Sequence, residues 1–371
     1  MFSMFFGAGN VVYPLLVGQQ ASGTTIWAFF GFFLTAVIVP FLGLYGLILF
    51  DGDYRSFFSR IGSKVGFVVI ALVMAFIGPL GALPRCIALS FATAQHMIPS
   101  LHLEFFCAFS AILIYLSTYR KSRIVDIIGQ WLSPALVIAL GLIIVMGLWD
   151  VPAIQEGTSI EATKSFSLGL VTGYQTMDLI GAFFFCAVVI NSLKHVSLKD
   201  GHLDKRLLTK NSLMACTIGA GLLGLVYFGM SFVAARHTAL LANVPDAIVL
   251  STITHHILGP YAGVVTSTAV ILACLTTAIA LAAVFAEFLH HDVTANKISY
   301  CWSLIITCVV SFFIATLEFS GIFKMLTPVV QITYPSLIVL TLLNIAYKLW
   351  GVRVVKAPVA CAFILALIFS F

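Results

Sequence analysis

"SMFFGAGNVVYP", residues 3–14, places Gly7, Gly9, Asn10 and Pro14 inside a run that carries no charge before Asp51. A segment that only had to cross a membrane would be better served by Leu, Ile and Ala. Glycine in a helix interior costs about 1 kcal/mol relative to alanine, and proline removes a helical hydrogen bond. The stretch therefore reads as an interruption of a first spanning helix.

The rest of the chain supports a membrane setting. Of 371 residues, 61% are hydrophobic and 9% are charged, where a soluble domain would carry roughly a quarter charged residues. The composition specifies an all-α polytopic membrane protein with the lipid bilayer as its surroundings. The net charge of +5 is then a matter of loop topology, and nucleic acid is not an implied partner. The eight cysteines lie in or beside apolar runs and form no CxxC pair, so they read as small buried hydrophobes.

A helix needs about 20 residues to cross the hydrocarbon core. Apolar runs predict eleven spans, near 1–18, 25–50, 66–95, 103–118, 124–149, 166–192, 212–235, 262–288, 299–317, 322–347 and 357–371. The first and last are short. Loops after the even-numbered spans hold nearly all the Lys and Arg, from Arg55, Arg60 and Lys64 to Lys348, Arg353 and Lys356. The opposite loops hold only Lys164 and Arg236 beside several acids. By the positive-inside rule the even loops and the N-terminus are cytoplasmic. The stretches 150–165 and 236–260 become external loops, the second with room for a short interfacial helix. His255 and His256 there read as solvated residues, with no third ligand nearby.

Five spans after the first interruption comes a second. Span 6 reads "LVTGYQTMDLIGAFFF", residues 170–185, with Gly173, Gln175, Thr176, Asp178 and Gly181 amid apolar sequence. Two broken segments at equivalent places in two five-span halves point to an inverted-repeat transporter. Unwound backbone at mid-membrane is tolerated only where it lines a protein cavity. There, half-helix N-termini attract a carboxylate and freed carbonyls bind a cation. The alternative is that these glycines only let helices pack closely.

"FFGAGNVVYP" in span 1, "GPLGALPR" in span 3 and "GYQTMDLIGA" in span 6 resemble the bacterial branched-chain amino acid:cation symporters, the LIVCS family of the APC superfamily. The resemblance runs along nearly the whole chain. It implies a LeuT-type 5+5 inverted repeat with helices 1 and 6 broken. On that expectation residues 1–371 form a single transmembrane domain, with one repeat over about 1–149, the other over about 166–347, and an extra C-terminal helix over about 357–371. It also implies an inner-membrane secondary transporter of Leu, Ile and Val, with Na⁺ as coupling ion and no other cofactor.

The resemblance supplies a site as well. Backbone and side chain at Ala8, Gly9 and Asn10 are expected to hold the amino acid's carboxylate and amine, and Tyr174 and Ile180 to wall the side-chain pocket, with Gln175 and Met177 nearby. The stretch "ACLTTAIA" in span 8 is similar to the superfamily's sodium-binding segment. The Ala273 carbonyl and the Thr276 and Thr277 hydroxyls would then face carbonyls of Ser3 and Phe6. Without the resemblance, both threonines would read as back-bonded to the preceding turn.

Ionisable residues inside spans are functional candidates by default. Asp178 has three readings: a cation ligand, a contact for the substrate's ammonium, or a partner for Arg85 on span 3, making the two a coupling or gating pair. Arg85 alone could instead satisfy carbonyls freed by Pro84. Glu287 and Lys324 read as interfacial. "TPVVQITYP" in span 10 is either a gating bend or a kinked scaffold helix. The shared glutamate that the family carries after "SF" in span 3 is replaced here by Ala92.

Other classes fit less well. Nothing resembles a channel filter, and His290–His291–Asp292 is too thin a cluster for a membrane enzyme. Proton coupling, or another small neutral amino acid, remains the alternative within transporters. So does an inactive truncated relative, since members of the family usually carry more sequence before the first motif and a twelfth span at the end.

Overall fold

The computed structural model describes residues 5–119, 123–149, 161–186 and 205–369, and no strand occurs among them. Phe6 and Gly7 are non-helical, and α1 (Ala8–Ala21) starts directly after them. Next comes α2 (Thr25–Phe33), which runs through a π turn at Leu34–Ile38 into α3 (Val39–Leu49). A short α4 (Tyr54–Ser59) is capped by the Asp53 side chain, which accepts from the amides of Arg55 and Ser56. Burial alone would raise the Asp53 carboxyl, but hydrogen bonds from Ser56 and Arg55 hold it below its usual range. Then follow α5 (Ser63–Ile77), α6 (Ala82–Met97), α7 (Leu103–Tyr119) and α8 (Arg123–Trp149).

The second half opens with α9 (Ala162–Tyr174) and continues, after a break, as α10 over 178–186. It goes on through α11 (Lys205–Arg236), α12 (Thr238–Leu241), α13 (Val249–Phe288), α14 (Tyr300–Ala315), α15 (Glu318–Trp350) and α16 (Lys356–Phe369). Among the described residues, five helical stretches are long and apolar enough to cross a membrane, and four shorter apolar helices accompany them.

Each expected span has its helix, with two differences. Span 3 is two helices, because Gly78–Gly81 interrupts it: a Cβ on Gly78 would stand 2.7 Å from the Phe285 ring, and one on Gly81 2.2 Å from the Phe76 carbonyl. Span 8 is extended at its N-terminal end by residues 249–258, joined across Gly259 at φ 76°. Those residues realise the short helix expected in the 236–260 stretch, and His255 and His256 are exposed on it. Pro328 and Pro335 lie inside one continuous α15.

Helices in lipid gain little from hiding apolar surface against one another, so close backbone approach carries much of their association. The α2–α9 pair shows this plainly. A Cβ on Gly31 would meet the Phe166 carbonyl at 2.2 Å, and one on Gly169 would meet the Ala28 carbonyl at 1.9 Å. In the same way Gly18 of α1 lies against the Ser231 carbonyl of α11, where the Ser231 hydroxyl donates to the Pro14 carbonyl at 2.9 Å. Spans 1, 2, 6 and 7 thus pack on one another. A second group forms where α6 and α8 pack on α13, and α7 on α14. On α7, Phe105, Phe109, Ile112 and Leu116 are exposed in a row at helical spacing, the pattern of a lipid-facing surface.

Candidate functional site at the paired helix breaks

The two breaks meet. In span 6, α9 ends at Tyr174, Gln175 and Thr176 turn, and Met177 adopts φ 62° before α10 starts. A non-glycine residue in the left-handed region is held there only by its surroundings. In span 1, the Asn10 side chain leaves α1 and donates to the Asp178 carboxylate at 2.7 Å. Asn10 also contacts the Tyr227 hydroxyl, which itself donates to Asp178 at 3.2 Å. All three side chains are buried. Spans 1, 6 and 7 are therefore tied at one point by a polar network.

Arg85 ties span 3 to the same place. It is 3% exposed. Its Nη1 donates to the Gln175 carbonyl at 2.7 Å and to the Tyr13 hydroxyl at 3.1 Å, and its Nη2 to the Thr176 carbonyl at 3.3 Å. Among the described residues no ion pair joins Arg85 to Asp178. Of the readings for Arg85, it is the service of freed carbonyls that the geometry shows, because the span-6 break frees carbonyls that need donors. Pro84, at the third position of α6, is not the source of the carbonyls Arg85 serves.

Between the two helix groups lies a narrow cavity of about 40 Å³. Its polar wall includes Asn10, Arg85, Thr176, Asp178 and Thr277, and its apolar wall includes Ile77, Met177, Phe185 and Leu281. Gly7 and Ala8 line it from span 1, and Cys86 from span 3. That volume is smaller than an amino acid needs, but the lining is of the kind small-molecule sites use, apolar with a few placed polar groups.

Of the residues singled out from sequence, Ala8, Asn10, Met177, Asp178, Arg85 and Thr277 line this cavity. Gly9 abuts it: a Cβ there would stand 2.8 Å from Arg85 Nη2. Gln175 contributes its carbonyl to Arg85, while its side-chain Oε1 is buried without a hydrogen bond. Tyr174 and Ile180 are not among the lining residues; Tyr174 packs on Tyr334 with ring centroids 5.1 Å apart, and Ile180 is buried in the core. The apolar wall comes instead from Met177 and Phe185 of span 6 with Ile77 of span 3 and Leu281 of span 8.

For the ion site, Thr276 and Thr277 both donate to the Ala273 carbonyl, at 2.8 and 3.0 Å. Back-bonded hydroxyls keep their lone pairs for a cation, but the Ala273 carbonyl already accepts from both. Thr277 faces the first break, with its Cγ2 3.2 Å from where a Gly7 Cβ would be. Phe6 is buried beside it in sequence, and Ser3 lies outside the described residues. No group of three His, Cys, Asp or Glu placed to hold a metal ion occurs among the described residues. Tyr13 and Tyr227, which complete the network, were not singled out from sequence, because a lone tyrosine in an apolar span carries no signal that separates it from a packing residue.

The family described as "Branched-chain amino acid transport protein" matches residues 1–371 of this chain. The chain belongs to that family. Its relatives include the branched-chain amino acid permease BrnQ of Escherichia coli (strain K12), 30% identical, with 96% of this chain and 81% of that protein covered. BrnQ of Bacillus subtilis (strain 168) is also 30% identical, covering 99% of this chain and 84% of its own. Among solved structures, the inward-facing conformation of Mhp1 matches with a TM-score of 0.60 at 14% identity, over 94% of this chain and 76% of that one. This family member therefore has a LeuT-type fold and is a multi-pass membrane protein.

Proposed function

We propose that this protein carries leucine, isoleucine and valine into the cell across the inner membrane by alternating access, coupled to Na⁺, with its N-terminus in the cytoplasm. The observation that carries the reading is the cavity at the meeting of the two breaks, which offers charged and amide groups on one side and Ile77, Met177, Phe185 and Leu281 on the other. An amino acid with a branched apolar side chain matches that division. Relatives named as branched-chain amino acid permeases support the same substrate class. A pocket of this kind separates substrates differing by one methylene by only about 1–3 kcal/mol, so all three amino acids are expected to share it. Sodium is assigned to Thr277 with Thr276, Ala273, Phe6 and Ser3; the back-bonded hydroxyls can offer their lone pairs as they stand, and one of them must turn away to free a lone pair on the Ala273 carbonyl.

A second reading, proton coupling, draws on Asp178, the only acid among the described lining residues and one with no cationic side chain paired to it. Labelled leucine uptake into proteoliposomes under imposed Na⁺ or H⁺ gradients separates the two. Uptake is expected to follow the Na⁺ gradient, with competition by valine and isoleucine and none by glutamate. Uptake that follows only the H⁺ gradient assigns the coupling to the second reading, and uptake indifferent to both removes symport altogether.

A further inference from the structure

We propose that Arg85 binds the carboxylate of the transported amino acid through its Nε–Nη2 edge. This deepens the transport reading and rests on it. The two ends of the guanidinium differ. Nη1 is occupied by the Gln175 carbonyl and the Tyr13 hydroxyl, whereas Nε has no hydrogen-bond partner and Nη2 makes one long bond of 3.3 Å to Thr176. An orphaned donor on a buried arginine is costly unless something supplies the acceptor. The Nε–Nη2 pair is one of the forks of arginine that meet a carboxylate with two parallel hydrogen bonds.

Position agrees with chemistry. Arg85 lines the cavity, and its Nη2 lies 2.8 Å from where a Cβ on Gly9 would stand. The free edge is therefore beside the first turn of α1, and the N-terminal end of a helix favours an anion. Only glycine at position 9 leaves room for the guanidinium to lie this close to span 1. Arg85 and Asp178 line one buried space without a direct ion pair between them, and a zwitterion offers a complementary group to each. The amine end then lies toward Asp178 and the branched side chain toward Phe185 and Leu281.

The test compares leucine with leucinamide, which lacks the carboxylate, in proteoliposomes of the wild type and of Arg85→Gln. In the wild type leucine should outcompete leucinamide by at least about thirty-fold, the size expected for a buried charged contact. Arg85→Gln should raise the half-saturation for leucine by that factor, leave inhibition by leucinamide unchanged, and so erase the discrimination. A variant that keeps the discrimination overturns the assignment. A second measurement uses the wild type alone: phenylglyoxal modification of Arg85, followed by mass spectrometry, should be slowed by leucine and by 4-methylpentanoate but not by leucinamide. Equal modification with and without leucine also overturns it. Absence of any wild-type leucine uptake is a different failure, that of the transport reading itself.

Discussion

Asn10 is the residue on which the two halves of the chain depend. Its amide joins Asp178 of span 6 and Tyr227 of span 7 from the first turn after the span-1 break. Low dielectric strengthens such a network when every member is satisfied. Thr277 acts at the opposite wall, where it faces Gly7. Thr277→Ala keeps helical propensity and removes one hydroxyl. It should raise the Na⁺ concentration for half-maximal leucine uptake at least about ten-fold, as expected for one lost ligand of about 1.4 kcal/mol, with little change in the amount of protein in the membrane. Unchanged sodium dependence would remove Thr277 from the ion site. At this scale the sequence was legible where polarity is abnormal for a span, as at Asn10, Arg85 and Asp178. It was silent on Tyr13, Tyr227 and, apart from Met177, the apolar wall, because the residues that close a cavity are of the same kinds as those that fill a core.

The elements follow from where glycine interrupts or permits. The breaks in spans 1 and 6 could be read directly, since glycine and polar residues at mid-span have no better explanation than a cavity. In span 3, Gly78 with Pro79 reads from sequence as a kink; the full interruption over Gly78–Gly81 is not legible there, because the neighbours that require it, such as the Phe285 ring, are distant in sequence. The residues 249–258 form their own helical segment ahead of the span because Gly259, at φ 76°, turns the chain between the two. Glycines that only permit contact are testable. A Cβ on Gly18 would stand 1.8 Å from the Ser231 carbonyl, whereas one on Gly221 meets nothing within 4 Å. Gly18→Ala should therefore destabilise the α1–α11 contact by about 1–3 kcal/mol, the usual range for overpacking, seen as a lower melting temperature in detergent. Gly221→Ala should leave the melting temperature unchanged or slightly raised. Equal effects at the two sites would mean that α1 and α11 do not approach as described.

Across the whole molecule, spans 1, 2, 6 and 7 are locked by glycine contacts, while α6, α7, α8, α13 and α14 form the other group. The central cavity lies between them. On the lysine- and arginine-rich side the groups are also joined by α4, which follows span 2. Asp292, just beyond α13, accepts from the Tyr54 hydroxyl at 2.8 Å and pairs with Arg55. Arg60 at the end of α4 reaches the Asn344 side chain of α15 at 2.9 Å. Tyr54 packs edge-on against Phe184 of α10, and Phe57 lies tilted against Phe183. Any parting of the two groups on this side must break the Asp292 contacts. The Arg55 side chain is 63% exposed, so the ion pair itself adds little, and the Tyr54 bond to a carboxylate contributes most. Asp292→Asn should loosen α4 by about 1 kcal/mol, read as roughly five-fold faster amide hydrogen exchange in Tyr54–Ser59. Unaltered exchange there would show that the aromatic contacts alone hold α4.

Cys86 stands next to Arg85 and lines the cavity, with its sulfur 3.9 Å from where a Cβ on Gly7 would be. It is a free, buried thiol, whereas Cys361 is exposed. The protein thus contains its own occupancy reporter. With Cys361 and the half-buried Cys301 both replaced by serine, a small methanethiosulfonate should modify Cys86 slowly, and leucine at ten times its Kd, which leaves about a tenth of the sites empty, should slow that reaction about ten-fold. A rate that leucine does not change would put the bound amino acid away from this wall. A rate that tracks it would let ligand affinity be measured without transport, a gradient or an introduced label.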